Sequence, residues 1–320
     1  MPSDDERDDE WTFRPVRRPM YFFGRKLFDI KASLWVCESH FSRLQSNEAD
    51  VVPSRLAGDA KAAGAVIRSQ PVASDLPLFE HRGEFYRWAP KHFDRQLVRT
   101  DGNYAEYLAK FSGKTRNSMS RKAKKYIEAA GQDPLKIYRT PDELRVFLAE
   151  AAKLAPSTYQ ARVFGNQLPD SPEFVAATVE RAAQNRTLGV ILQHQGKPAC
   201  FWWFTLDHGV LLSEYTGFDA ELRALSPGTV LLSLLLPALF ADPSVEVLDF
   251  GEGDNDYKRL YATESRRCAE VFWLRVRPST VAMVATETAL TRLRSAVKPL
   301  EDELERRGWR AKLKRLVRGQ

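Results

Sequence analysis

Cysteine is scarce in this chain. The 320 residues contain only Cys37, Cys200 and Cys268, at no spacing that makes a metal site. A disulfide scaffold or a zinc site has no support, and free thiols fit a reducing compartment. Histidine is equally thin: His40, His81, His92, His194 and His208 form no HxxxH or His–Cys cluster, so no metal is expected. The longest apolar run, Val230 to Phe240, is interrupted by Ser233 and Pro237. It falls well short of the roughly 20 residues that cross a bilayer. The first ten residues, MPSDDERDDE, are acidic and polar, unlike a secretory signal or a transit peptide. A cytoplasmic location of bacterial type is expected, with peripheral attachment at the inner face of a membrane as a variant of it. Sequence patterns for nucleophile elbows, P-loops and GxGxxG turns are missing too. Hydrolase, nucleotide-hydrolysing and dinucleotide-binding readings therefore have no foothold.

What is present is an ordinary globular composition, 43% hydrophobic and 28% charged, which argues against wholesale disorder. The length is a prior for about two domains. The net charge of +6 is unevenly laid out: residues 1–10 sum to −5, so the remainder carries +11. Residues 114–125 hold six Lys/Arg and no acid, and residues 306–318 hold seven and no acid. Such runs bind phosphates, nucleic acid or anionic lipid, or else form a solvated helix face.

Along the chain, residues 1–19 read as a disordered acidic tail. Short strands are expected at 65–69 and 84–88. Helical spacing of Tyr104, Tyr107, Leu108 and Phe111 behind Asn103 predicts a helix, and a second is predicted over 117–130, ending at Gly131. Thr140-Pro141-Asp142-Glu143 and Ser171-Pro172-Glu173 each combine a cap, a proline in the first turn and acids. They start helices running to about Leu154 and Gln184. Strands follow at 188–193 and 199–206, joined by a hairpin turn at Gln195-Gly196-Lys197, and then at 210–215. A loop over 216–227 leads into a helix from Gly228, apolar nearly all round and so buried. Strands at 245–250 and 271–276 complete an α/β (α+β) pattern with a mixed sheet. Trp202 and Trp203 fall on opposite faces of their strand, which puts at least one in the core.

Two places concentrate chemistry. Leu225-Ser226-Pro227-Gly228-Thr229 opens the buried helix, where unpaired N–H groups and the helix dipole suit a phosphate. Gly228 permits close approach, Ser226 and Thr229 offer hydroxyls, and Arg223 is within reach; the same residues also serve as plain helix punctuation. The second place is Leu248 to Lys258, a strand end followed by a glycine-broken, carboxylate-rich turn. Asp249 alternates onto the apolar face of Val245 and Val247, costly without a partner. Acids at such a strand end face a ligand cleft, or else stand in a solvated turn with Asp249 bonded to backbone amides. Carboxylates there can act as base and Tyr257 as acid.

Taken together, Tyr215-Thr216-Gly217-Phe218-Asp219, Ala224 to Thr229, Leu248 to Asp254 with Tyr257-Lys258, and the lead-in Phe111 to Arg116 resemble the GNAT-superfamily acyltransferases. More narrowly they resemble the branch associated with cellulose and exopolysaccharide biosynthesis, related to FemABX-like transferases. The resemblance spans roughly residues 105–278. It implies a mainly antiparallel mixed sheet flanked by helices and transfer from acetyl-CoA or another acyl-CoA to an amine or hydroxyl of a sugar or lipid-linked sugar. It also implies a pyrophosphate at Ser226, Pro227, Gly228 and Thr229, and pantetheine in a splay between the strand ending near Tyr215 and that at 245–250. Backbone amides there would polarise the thioester carbonyl. Ser-Pro-Gly-Thr is a shorter version of the family's glycine-rich loop.

On that reading Glu252 or Asp254 is the base, Tyr257 protonates the thiolate or positions the acceptor, and Lys258 pairs with a phosphate or with Asp254. Attack is direct, in a ternary complex governed by positioning. Tyr159, Gln160 and Asp249 are acceptor-side candidates. The expected organisation is a tail over 1–19, an N-terminal region over 20–110 that the resemblance makes a degenerate copy of the fold, the transferase domain over 111–280, and a basic helical tail over 281–320. Within that tail, residues 299–317 are a candidate membrane-surface helix. Two other readings stand beside this one: aminoacyl transfer from charged tRNA, with 114–125 on RNA phosphates, and a non-catalytic scaffold in polysaccharide export.

Overall fold

The computed structural model describes residues 11–306 apart from 23–24, 38–39, 42–43, 45, 132, 155–167 and 254, and of 19–28, 30, 291 and 294–306 only the backbone. The chain divides into two compact units, Met1–His92 with Arg267–Gln320, and Phe93–Arg266. These boundaries differ from the expected breaks at 110 and 280, because two long strands, β5 (Phe85–Arg99) and β11 (Glu264–Arg275), run through them.

In the first unit, β1 (Trp11–Phe22) pairs antiparallel with β2 (Arg25–Cys37). β2 lies parallel to β3 (Gly64–Pro71), after a short helix α1 (Ser54–Gly58). β3 pairs antiparallel with β11, and β4 (Phe79–Arg82) with β5. Trp88 anchors this core, stacked on Phe79 at 5.7 Å and tilted onto Phe272 at 4.8 Å. Residues 11–19 are thus strand, not tail. β1 is the last strand in its sheet, and an edge strand tolerates the prolines and cations (Pro15, Pro19, Arg17, Arg18) that make the segment look unstructured. The last described element, α8, follows β11 and spans Pro278–Arg306, so the candidate surface helix at 299–317 lies mostly outside the described residues.

The second unit holds the strand order β5-β10-β9-β8-β7-β6, with β6 at Leu135–Tyr138, β7 at Thr187–His194, β8 at Lys197–Asp207, β9 at Val210–Phe218 and β10 at Val247–Asp249. Only β9 and β10 are parallel in this set. The mixed, mainly antiparallel sheet matches the expected class. Alternation along β8 builds two cores. Trp202 and Phe204 face the helices α3 (Gly113–Ala130) and α6 (Pro227–Phe240), while Phe201 and Trp203 face α4 (Pro141–Leu154) and α5 (Pro172–Ala183). Both tryptophans are core, at 3% and 4% exposure. α2 (Tyr104–Ala109) precedes α3, and α7 (Asp256–Tyr261) follows β10.

The local signals act as expected. Asn103 accepts from Ala105 N–H, and Ser171 from Phe174 N–H. Thr140 and Glu143 exchange side-chain-to-backbone bonds in a capping box. The 216–227 segment is not a loop: β9 continues to Phe218, and Ala220–Leu225 forms a 3-10 turn capped by Asp219. Gly189 of β7 shows how tightly the α4 side is packed, since a Cβ there would sit 2.6 Å from the Phe147 ring. Gly189→Ala is expected to cost about 1–3 kcal/mol through overpacking, read by urea denaturation. Adding Phe147→Leu should recover part of the loss.

Candidate active site at the strand splay

β9 and β10 share a ladder of three pairs, Val210↔Val247, Leu211↔Leu248 and Leu212↔Asp249. There the strands part. β9 runs six residues further, to Phe218, while the chain after β10 turns away at Gly251, whose φ of +70° is in the left-handed region. A Cβ at Gly251 would lie 3.0 Å from the Ser213 carbonyl, so the apex of the opening is closely fitted.

β9 also carries a bulge at this level. Trp203 faces Tyr215 and Phe204 faces Ser213, which leaves Glu214 without an opposite residue on β8. A bulge bends its strand and re-aims a side chain. Main-chain groups of residues 213–218 on the β10 side have no ladder partner on that strand, which makes them available to a ligand carbonyl.

Glu214 is the acid this arrangement singles out. Its side chain is exposed, yet the protein packed around it takes away part of its hydration and pushes its carboxyl above the usual carboxylate range. The nearby Asp249 carboxylate adds to the rise; the Thr205 hydroxyl and the Arg181 and Arg95 guanidiniums oppose it. Thr205 Oγ1 donates to Glu214 Oε1 at 3.3 Å. A carboxylate held above its ordinary range beside an open strand is suited to accept a proton near neutral pH.

α6 begins at Pro227, one residue before the predicted start at Gly228. Ser226 sits in a left-handed conformation, φ 54° and ψ 51°, and makes no side-chain cap bond. Pro227 has no N–H, and the Val230 N–H donates to the Ser226 carbonyl at 3.1 Å. Nothing lies within 4 Å of where a Gly228 Cβ would stand. Arg223 is exposed on the preceding 3-10 turn. Thr229 is part-exposed, and its carbonyl accepts from Ser233.

Other candidates take different places. The Tyr215 ring packs against Phe174 and Trp203, at 6.1 and 5.8 Å, on the α5 side. Its backbone, not its side chain, borders the splay. Asp249, placed on the acceptor side by the sequence reading, is sealed from solvent: at 0% exposure it accepts from Arg95 Nε and Nη2 at 2.9 and 2.7 Å and from Gly251 N–H at 2.8 Å. Lys258 is buried and donates Nζ to the Glu252 carbonyl at 2.9 Å, a bond within the turn itself. The Glu252 side chain is exposed. Tyr257 stands edge-on to Phe250 at 5.9 Å, and burial pushes its hydroxyl up to about 12, so it stays protonated at neutral pH. Asp254, Tyr159 and Gln160 lie outside the described residues. Among the described residues no three His, Cys, Asp or Glu side chains are grouped to hold a metal ion, and no described helix is long and apolar enough to cross a membrane.

Residues 113–259, a little under half of the chain, match the family model described as an acetyltransferase (GNAT) domain. No curated protein sequence matches the chain. The solved structure of FemX has a similar fold, with a TM-score of 0.50 at 12% identity, covering 87% of this chain and 92% of that one. The C-terminal domain of a putative lysylphosphatidylglycerol synthetase from Agrobacterium fabrum has a TM-score of 0.49 at 12% identity, covering 86% and 88%. L-PGS from Bacillus licheniformis has 0.45 at 12%, covering 69% and 71%. The matched span covers the splay, the α6 start and the Asp249–Lys258 turn.

Proposed function

We propose that this protein transfers an acyl group from an acyl-CoA, acetyl-CoA in the simplest case, to an amine or hydroxyl by direct attack in a ternary complex. The observation that carries it is the parallel β9–β10 pair that opens after three residues, with the uncapped α6 N-terminus on one side and Glu214 on the bulge. The amides and hydroxyls of Ser226, Gly228 and Thr229, with Arg223, would hold the pyrophosphate. Free main-chain groups of β9 would bind the thioester carbonyl and stabilise its oxygen as negative charge develops. Glu214 would take the proton from the acceptor, and Tyr257 would supply one to the departing thiolate. An acceptor on a cell-surface polysaccharide precursor, met at the cytoplasmic face of the membrane, rests on the motif resemblance alone.

A second reading is aminoacyl transfer from charged tRNA. It draws on the FemX-like fold and on the short α6 loop, where Pro227 removes one of the donors a pyrophosphate would use. The same base and strand groups would serve that donor.

Calorimetric titration with acetyl-CoA separates the two. Saturable binding is expected, weakened at least tenfold by Gly228→Trp with no change in melting temperature, because the Gly228 Cβ position opens on empty space. Absence of binding across several acyl-CoAs would overturn the donor assignment and leave the tRNA reading.

A further inference from the structure

The six-cation run of 114–125 remains outside the transfer chemistry, and the structure sorts it. Arg116 is committed to its own chain, donating to the Phe111 carbonyl at 2.8 Å. Lys114, Arg121, Lys122, Lys124 and Lys125 are all exposed, and among the described residues none has a carboxylate within ion-pair reach. At about 100° per residue these five fall within an arc of roughly 160° on α3. Met119, Tyr126 and Ala130, the buried residues, lie on the opposite side. The result is one flat cationic face on a helix about 27 Å long, with Glu128 its sole acid.

We propose that this face of α3 docks the protein on an anionic lipid bilayer. Three features favour lipid over nucleic acid. Four of the five cations are lysines, compact point charges suited to the diffuse potential of a charged surface, whereas phosphodiester recognition favours the planar fork of arginine. The helix's single aromatic, Tyr126, is 1% exposed, so no ring is offered for base stacking. The five cations stand together on the side of the helix away from Met119, Tyr126 and Ala130, so a flat charged surface can meet them all at once. The proposal concerns where the protein works and does not depend on the donor.

The test is flotation of the full-length protein with vesicles of phosphatidylcholine alone or with one third phosphatidylglycerol. Binding only to the anionic vesicles, released by added salt, is expected. The variant Arg121→Gln/Lys122→Gln/Lys124→Gln/Lys125→Gln should lose roughly a hundredfold or more in partitioning while keeping its melting temperature and acetyl-CoA affinity. Lys122→Arg/Lys124→Arg/Lys125→Arg should bind as the parent does. The milder pair Lys122→Glu/Lys125→Glu gives the same reading should the quadruple variant fold poorly. Equal flotation of parent and neutralised variants overturns the proposal. So does a loss that follows Arg310→Gln/Lys312→Gln/Lys314→Gln/Arg315→Gln alone, or binding to a short duplex RNA at salt where vesicles are ignored.

Discussion

Glu214→Gln is expected to lower kcat by about 10² to 10⁴, the range a positioned general base contributes, with little change in donor affinity. The α6 start that would hold the donor is a different element from the β9 bulge. The pH profile carries the diagnostic. In the parent, kcat/KM should rise with pH through a limb above the ordinary carboxylate range, since burial raises the Glu214 carboxyl. In Glu214→Gln that limb should vanish, while Glu252→Gln, which removes a carboxylate on the turn after β10, should keep it. Activity of Glu214→Gln within a few-fold of the parent would return the role of base to the Glu252 turn.

The same substitution is expected to stabilise the fold, and the sign follows from linkage. A carboxyl whose folded pKa lies above its unfolded value binds its proton more tightly when folded. Its stabilising contribution is therefore present at low pH and lost as pH rises through the folded pKa. At neutral pH the parent holds a charge in a poor place and glutamine does not. Thermal melts should show Glu214→Gln above the parent at pH 8, with the difference closing near pH 4. Loss of activity with a gain in stability is what a functional carboxylate should show; a structural one would lose both.

Much of the frame was legible because local chemistry decides it. The hairpin at Gln195 and Gly196 has φ of 51° and 77°, and the caps at Asn103, Thr140 and Ser171 work through residues three positions away or fewer. The helix start at Ser226–Thr229 was visible for the same reason. Glu214 was not, because in the stretch Leu211 to Tyr215 it reads as an outward residue of a regular strand. The register slip that re-aims it exists only once β8 is paired alongside. Alternation showed that Asp249 needed a partner, but Arg95 lies 154 residues upstream on β5, and nothing local points to it. β1 went unread because an edge strand can keep its prolines.

Breaking the Arg95–Asp249 pair is expected to produce the largest loss of stability. Arg95→Met takes the guanidinium from a carboxylate sealed at 0% exposure, at a cost of about 3–5 kcal/mol. That is a large share of the roughly 5–15 kcal/mol that holds a domain together. Asp249→Leu should cost a similar amount, because it removes the buried counter-charge of the guanidinium. The pair itself need not be a net stabiliser, since desolvation offsets much of its attraction. Arg95→Met/Asp249→Leu should therefore recover most of the loss, giving a strong coupling in a urea double-mutant cycle. Recovery should stop about 1–3 kcal/mol short, because Gly251 N–H loses its acceptor in a buried turn. That residue ties the cycle to function: Gly251 sits against the Ser213 carbonyl at the apex of the splay, and its N–H is held by Asp249. The double variant should fold yet bind acetyl-CoA more weakly, with KM for the donor raised more than kcat is lowered. Full recovery of both stability and donor affinity would show that Asp249 serves Arg95 alone and that the apex holds its shape without it.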